Sequence, residues 1–186
     1  MIGLQTRNFS ASPGVSRGWR RLETQTIASA QASADFTSRI DGSHRFYKVK
    51  GWAIPDTDAV TLLARLAVAG VFQSGATDYK WSLNRVNEAG NSFDAGSAAD
   101  SSVRMAVGVG SAAGEAVEFE LSLTDPADTN FNTLLDFEGA YESSSALLTN
   151  MSGGGRLQSA SAVNGLQLLF GTGNIALAEL VLWGLN

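Results

Sequence analysis

The stretch "EAVEFELSLT", residues 115–124, alternates strictly. Val117, Phe119, Leu121 and Leu123 fall on one side of an extended chain, and Glu118, Glu120, Ser122 and Thr124 on the other. Successive side chains of a strand point to opposite faces, so one apolar and one polar side at period two describe a half-buried antiparallel strand. The pattern recurs. In "DAVTLLARLAV", Val60, Leu62, Ala64, Leu66 and Val68 alternate with Thr61, Leu63, Arg65 and Ala67, and in "TLLDFEGAY", Leu135, Phe137, Gly139 and Tyr141 oppose Asp136 and Glu138. Further strands are expected at 24–28, 31–37, 45–54, 78–86, 101–107, 146–151, 155–160, 164–170 and 175–185. The stretches "PDTD", "NEAGNSFDAGSAADS", "DPADTN" and "SGGG" read as loops. Many short strands with no helical period predict an all-β fold, an antiparallel double-sheet β-sandwich of jelly-roll-like type.

"GLQLLFGTGNIALAELVLWGL" reads as a hairpin turning at Gly171-Thr172-Gly173-Asn174, residues tolerant of positive φ. Its second arm sets Ala178, Leu180 and Leu182 against Glu179, Val181 and Trp183, so both faces are largely apolar. One face belongs to the core. The other, with Leu177, Val181 and Trp183, is expected to pack on a neighbouring subunit or on the N-terminal arm.

That arm is residues 1–23, ahead of a sandwich at 24–186. It mixes Ser, Gly, Pro and Arg with isolated apolar residues in neither period, and such a segment cannot build a core alone. Arg7, Arg17, Arg20 and Arg21 against Glu23 give the first 24 residues a net +3, while nine basic and seventeen acidic side chains leave the rest at −8. Four arginines without lysine clusters or an aromatic platform are a weak nucleic-acid footprint. Docking on an acidic protein surface is the expectation instead, through Phe9, Arg17, Trp19, Arg20 and Arg21, with no nucleic acid as partner.

The 186 residues suit one domain. With no cysteine, disulfides, thiolate catalysis and cysteine metal sites are excluded. No secretion signal or apolar run of about eighteen residues is evident, and a soluble protein made in the bacterial cytosol, without membrane insertion, is expected.

Candidate chemistry is sparse. His44, the single histidine, sits in "DGSHRFY" with Ser43 too close along the chain to face it well, and no nucleophile-elbow pattern surrounds any serine. It reads as a turn residue. Glu118 with Glu120, and Asp136 with Glu138, offer a facing carboxylate pair of the kind glycosidases use, or a charged, solvated sheet face, which is the reading preferred. Asp125, Asp128 and Asn130 lack the spacing and glycine of a calcium loop, and Asp56 and Asp58 suit a turn after Pro55. The glycines of "GVGSAAGE" match no phosphate or dinucleotide loop. Tyr47, Trp52, Tyr79 and Trp81 would stack on sugar rings if exposed, but large aromatics in strands mostly fill the core or subunit seams, and packing is the reading preferred. No catalytic residue, cofactor or metal is implied.

Taken in order, "IASAQASADFTSRID", "YKVKGWAIPDTDAVTLLARL", "SGATDYKW" and "SASAVNGLQLLFGTGNIALAELVLWGL" resemble a recurrent module of tailed-bacteriophage virion proteins. The matching residues are Ala34-Asp35-Phe36, Pro55 to Val60, Ser74 to Trp81 and Val163 to Gly184. The resemblance spans most of 24–186 and implies a non-enzymatic tail-fibre, head-spike or decoration-type β-sandwich located in the virion. It also implies symmetric copies, a homotrimer by analogy with fibres and spikes, bound to capsid or tail proteins. The module usually has a polar residue or glycine near Leu177 and Val181. The apolar residues here point to a covered second face. Carbohydrate-binding attachment to a host surface glycan is the alternative expectation.

Overall fold

The computed structural model describes residues 18–186, and among them there is no helix. The strands are β1 (Arg20–Ile27), β2 (Ala34–Phe36), β3 (Phe46–Pro55), β4 (Val60–Val68), β5 (Val71–Phe72), β6 (Tyr79–Asn87) and β7 (Ser92–Asp100). They continue as β8 (Val103–Val109), β9 (Val117–Thr124), β10 (Leu134–Glu142), β11 (Leu148–Leu157), β12 (Val163–Phe170) and β13 (Ile175–Leu185).

They form two antiparallel sheets: eight strands in the order β1-β13-β3-β9-β10-β11-β6-β7, and five in the order β2-β12-β4-β5 with β8 also paired to β4. The expected double-sheet sandwich is therefore the fold. The alternation read in the sequence sets what each face does. On β9, Val117, Phe119, Leu121 and Leu123 are buried between the sheets, and on β4 so are Val60, Leu62, Ala64 and Leu66. One continuous cluster results, with Phe36, Tyr47, Tyr79 and Phe119 among its largest members. Each such side chain contributes roughly 1.5–3 kcal/mol through burial.

Four expectations need correction. First, residues 163–185 are no hairpin: β12 lies in the small sheet and β13 in the large one. The connection between them changes sheets, as does the "PDTD" connection from β3 to β4, and the two crossings run side by side. Asp56 joins them, accepting the Asn174 amide at 2.7 Å and its side-chain NH2 at 2.8 Å, while its own N–H donates to Asn174 O at 3.0 Å. Gly173 takes φ 72°, which its lack of a Cβ permits.

Second, "SGGG" does not interrupt the chain, because β11 runs unbroken through it from 148 to 157. The glycines are there for space. A Cβ at Gly153 would stand 2.6 Å from Phe137 Cζ, and one at Gly155 2.5 Å from Val103 Cγ2, so neighbouring core side chains fill their places. Third, "NSFDAGSAADS", expected to be loop, holds the edge strand β7, mostly exposed and so without an apolar side to announce it. Fourth, β1 starts at Arg20, which pairs with Gly184. Residues 20–23 thus belong to the sandwich and not to the arm.

Candidate functional site

The inner faces of both sheets are occupied by the core, so the broadest surface on which chemistry can be placed is the outer face of the eight-stranded sheet. The strand register fixes its composition. Where β13 meets β3, Val181 lies beside Lys50, Trp183 beside Lys48, and Leu177 beside Ile54. This end is mixed, apolar and charged. Next come β9 and β10, where Lys50 faces Glu120, Trp52 faces Glu118, and Glu120 faces Glu138. Beyond them the outward positions of β11 and β6 are small or neutral at Ser152 opposite Asn84 and Gly154 opposite Ser82, and basic at Arg156 opposite Lys80. The surface therefore passes from a mixed apolar and charged end through an acidic middle to small, polar and finally basic positions.

Small side chains between larger ones leave a depression. An open trough of ≈ 500 Å³ crosses β9, β10 and β11, lined by Lys50, Glu118, Glu120, Glu138, Asn150 and Ser152 among others, with Ala140 in its floor. It shares Glu120, Glu138 and Ser152 with a smaller depression of ≈ 220 Å³ that extends to Ser122, Asp136 and Gly153. Lys48 Nζ pairs with Glu120 Oε1 at 3.0 Å. Glu138, directly across from Glu120, has no ion pair among the described residues. Like charges facing across strands repel, so a donor-rich partner, a guanidinium or a set of hydroxyls, relieves the trough when it binds.

Glu120 and Glu138 thus do face one another, on the open, charged sheet face that is the preferred reading. Among the described residues no group of three or more His, Cys, Asp or Glu is placed to hold a metal ion, and no helix is long and apolar enough to cross a membrane.

The other expected residues divide. Phe9 and Arg17 lie outside the described residues. Trp19 is exposed and lies on the outer face, with Lys48 Nζ 4.5 Å from its ring centroid. Arg20 and Arg21 are exposed on β1, Arg21 beside Trp183. Leu177 is 42% exposed, with Val181 and Trp183 half-buried on the same face.

Of the four aromatics weighed for sugar stacking, Trp52 alone is open, at 36%. Tyr47, Tyr79 and Trp81 are buried and present no ring to a ligand. The Tyr79 hydroxyl accepts Leu66 N–H at 2.7 Å and donates to Gln73 O at 3.2 Å, and burial pushes its pKa up to about 12. Trp81 donates from Nε1 to Asp100 at 3.1 Å beneath the guanidinium of Arg104. These are inward positions of their strands, fixed by the same alternation that built the core.

His44 and Ser43 do meet, with Oγ and Nδ1 2.9 Å apart, closer than their adjacency suggests. Ser43 gives its one proton to Asp41 at 2.6 Å, so Nδ1 is the donor toward the serine. That is the reverse of what a serine nucleophile requires. Ser43's hydroxyl and amide hold the Asp41 carboxyl below its ordinary range, and the cluster caps the turn into β3. In "DPADTN", Asp125 takes Arg45 in a two-pronged pair and Asp128 accepts from Asn130.

The trough itself escaped sequence reading, although its signal was present: Ala140, Ser152 and Asn84, all small or neutral, fall on outward positions of three adjacent strands. Finding it needed the strand order. No family model matches the chain, and neither a curated protein nor a solved structure shows significant similarity to it.

Proposed function

We propose that this chain is a non-enzymatic structural protein of a tailed-bacteriophage virion, of fibre, spike or decoration type. Its sandwich forms a symmetric oligomer, a trimer, and its N-terminal arm attaches it to capsid or tail proteins. The observation that carries the reading is the outer face at β13 and β3, where Leu177, Trp52, Val181 and Trp183 stand on the side of a sheet that ordinarily meets water. Glu179, Lys48 and Lys50 stand among them, and large apolar side chains rimmed by charges on an outward face are the composition of a surface that another protein covers. The ordered motifs between Ala34 and Gly184 supply the virion context. Mass spectrometry of density-purified particles tests it: the protein is expected in fixed stoichiometry to the major structural subunit, and its absence from particles refutes the proposal.

A second reading is favoured by one observation, the exposed Trp52 one strand from Glu118 and the polar trough. An aromatic plate beside carboxylates and amides suits a sugar ring with its hydroxyls. On this reading the sandwich attaches the virion to a host surface glycan, and retention on purified host polysaccharide should fall when Trp52 is replaced by Ala.

A further inference from the structure

We propose that the β13–β3 end of this outer face is the seat of residues 1–17 of a second copy of the chain, laid from the Leu177–Trp52 region toward the acidic trough. The inference deepens the attachment reading above and rests on it for the presence of several copies side by side.

Composition matches segment to surface. Residues 1–17, "MIGLQTRNFSASPGVSR", contain no acidic side chain, two arginines and the apolar residues Ile2, Leu4, Phe9 and Val15. Across the sheet the surface offers Leu177, Val181 and Trp52 with Glu179 among them, then Lys48 and Lys50, of which Lys48 pairs with Glu120, and then Glu118 and Glu138. Arg7 at the trough supplies the planar donors that carboxylates bind best, and Glu138, unpaired among the described residues, is the natural acceptor. Length suffices as well. Seventeen extended residues reach about 56–61 Å, while eight strands at their usual spacing span roughly 34 Å.

Chain direction selects a neighbour's segment over the chain's own. Followed backward from Ile27 to Arg20, β1 runs from the Ala178 end of β13 to its Gly184 end, away from Leu177. The described chain therefore starts near the Gly184 end of β13, at the opposite end from Leu177. Trp19 holds that end by lying over Lys48, and a segment covering Leu177 of its own copy would have to double back past it. Head-to-tail contacts of this kind close into a ring when the rotation between copies permits.

The test uses the full chain with the photoreactive residue p-benzoylphenylalanine in place of Phe9. Illumination should yield covalent species of at least twice the 19.5 kDa chain mass on a denaturing gel, with the link mapping to residues 46–54 or 175–185. A link within one 19.5 kDa chain, a link to any other surface, or no link overturns the inference. As a second measurement, Leu177→Lys with Val181→Asp should reduce the sedimentation mass to that of a single chain without changing the urea midpoint by more than about a tenth. An oligomer unaffected by the pair likewise overturns it. Particles that contain the protein while Phe9 crosslinks elsewhere would remove this seat and leave the virion reading standing. Particles lacking the protein remove that reading whatever the crosslink shows.

Discussion

Replacing Tyr79 with Phe removes one oxygen from the centre of the sandwich and tests how its β4 edge is held. Tyr79 is fully buried, and its hydroxyl accepts from Leu66 N–H and donates to Gln73 O. Without it a buried amide has no partner, a loss of about 2 kcal/mol, equivalent to a fall of roughly 4–8 °C in Tm for a domain of this size. Urea titration at pH 8 measures the difference directly. The second readout is pH. Burial raises this phenol to about 12, whereas in the unfolded chain it titrates near 10.

The folded state therefore keeps a proton that the unfolded chain has lost. The associated stability is whole below about pH 10 and declines as pH rises toward 12, by roughly 2–3 kcal/mol over the interval. Y79F has no such decline from this position, so the gap between the two proteins should narrow steadily above pH 10. Equal stabilities at pH 8 would mean that Leu66 N–H finds another partner. Parallel curves up to pH 11.5 would mean that the phenol titrates normally.

Asp56→Ala cuts the tie between the two sheet-changing connections. Because Asn174's amide and side chain hold the Asp56 carboxyl low, the linked stability is present above about pH 4 and lost as pH falls through the lower folded value, so D56A should show a flatter acid limb in urea titrations between pH 4 and 2. Gly153→Val drives branched carbons into the ring of Phe137 and should lower stability by about 1–3 kcal/mol or more in urea, whereas a true loop glycine would accept valine at little cost. Trp52→Ala, on an open face, should leave the thermal midpoint within about 2 °C, since exposed substitutions cost little, while weakening self-association or glycan retention according to which surface reading holds.

The sandwich was legible because alternation is a local property: Val117 to Thr124 declare both their faces without reference to any other strand. What stayed hidden was pairing. A glycine-rich turn between two alternating runs serves a hairpin and a sheet change equally well. Only the distant Asp56, 118 positions from Asn174, marks the connection at 171–174 as a crossing. The glycines of β11 misled for a related reason, since the side chains that use their space come from β10 and β8. Tyr47, Tyr79 and Trp81 could stack on a sugar only if exposed, and their place in the alternation with Val49 and Leu83 already puts them inside. The trough needed three strands in register before its small residues became a floor.

The first strand of the large sheet is joined to it by the last alone, since β1 pairs with β13 and with no other named strand. During synthesis at the usual pace, residues 175–185 leave the ribosome roughly 10–30 s after β1 does. Throughout that delay β1 has no strand of the large sheet to pair with and β3 shows an open edge. That is the condition in which strands exchange between chains.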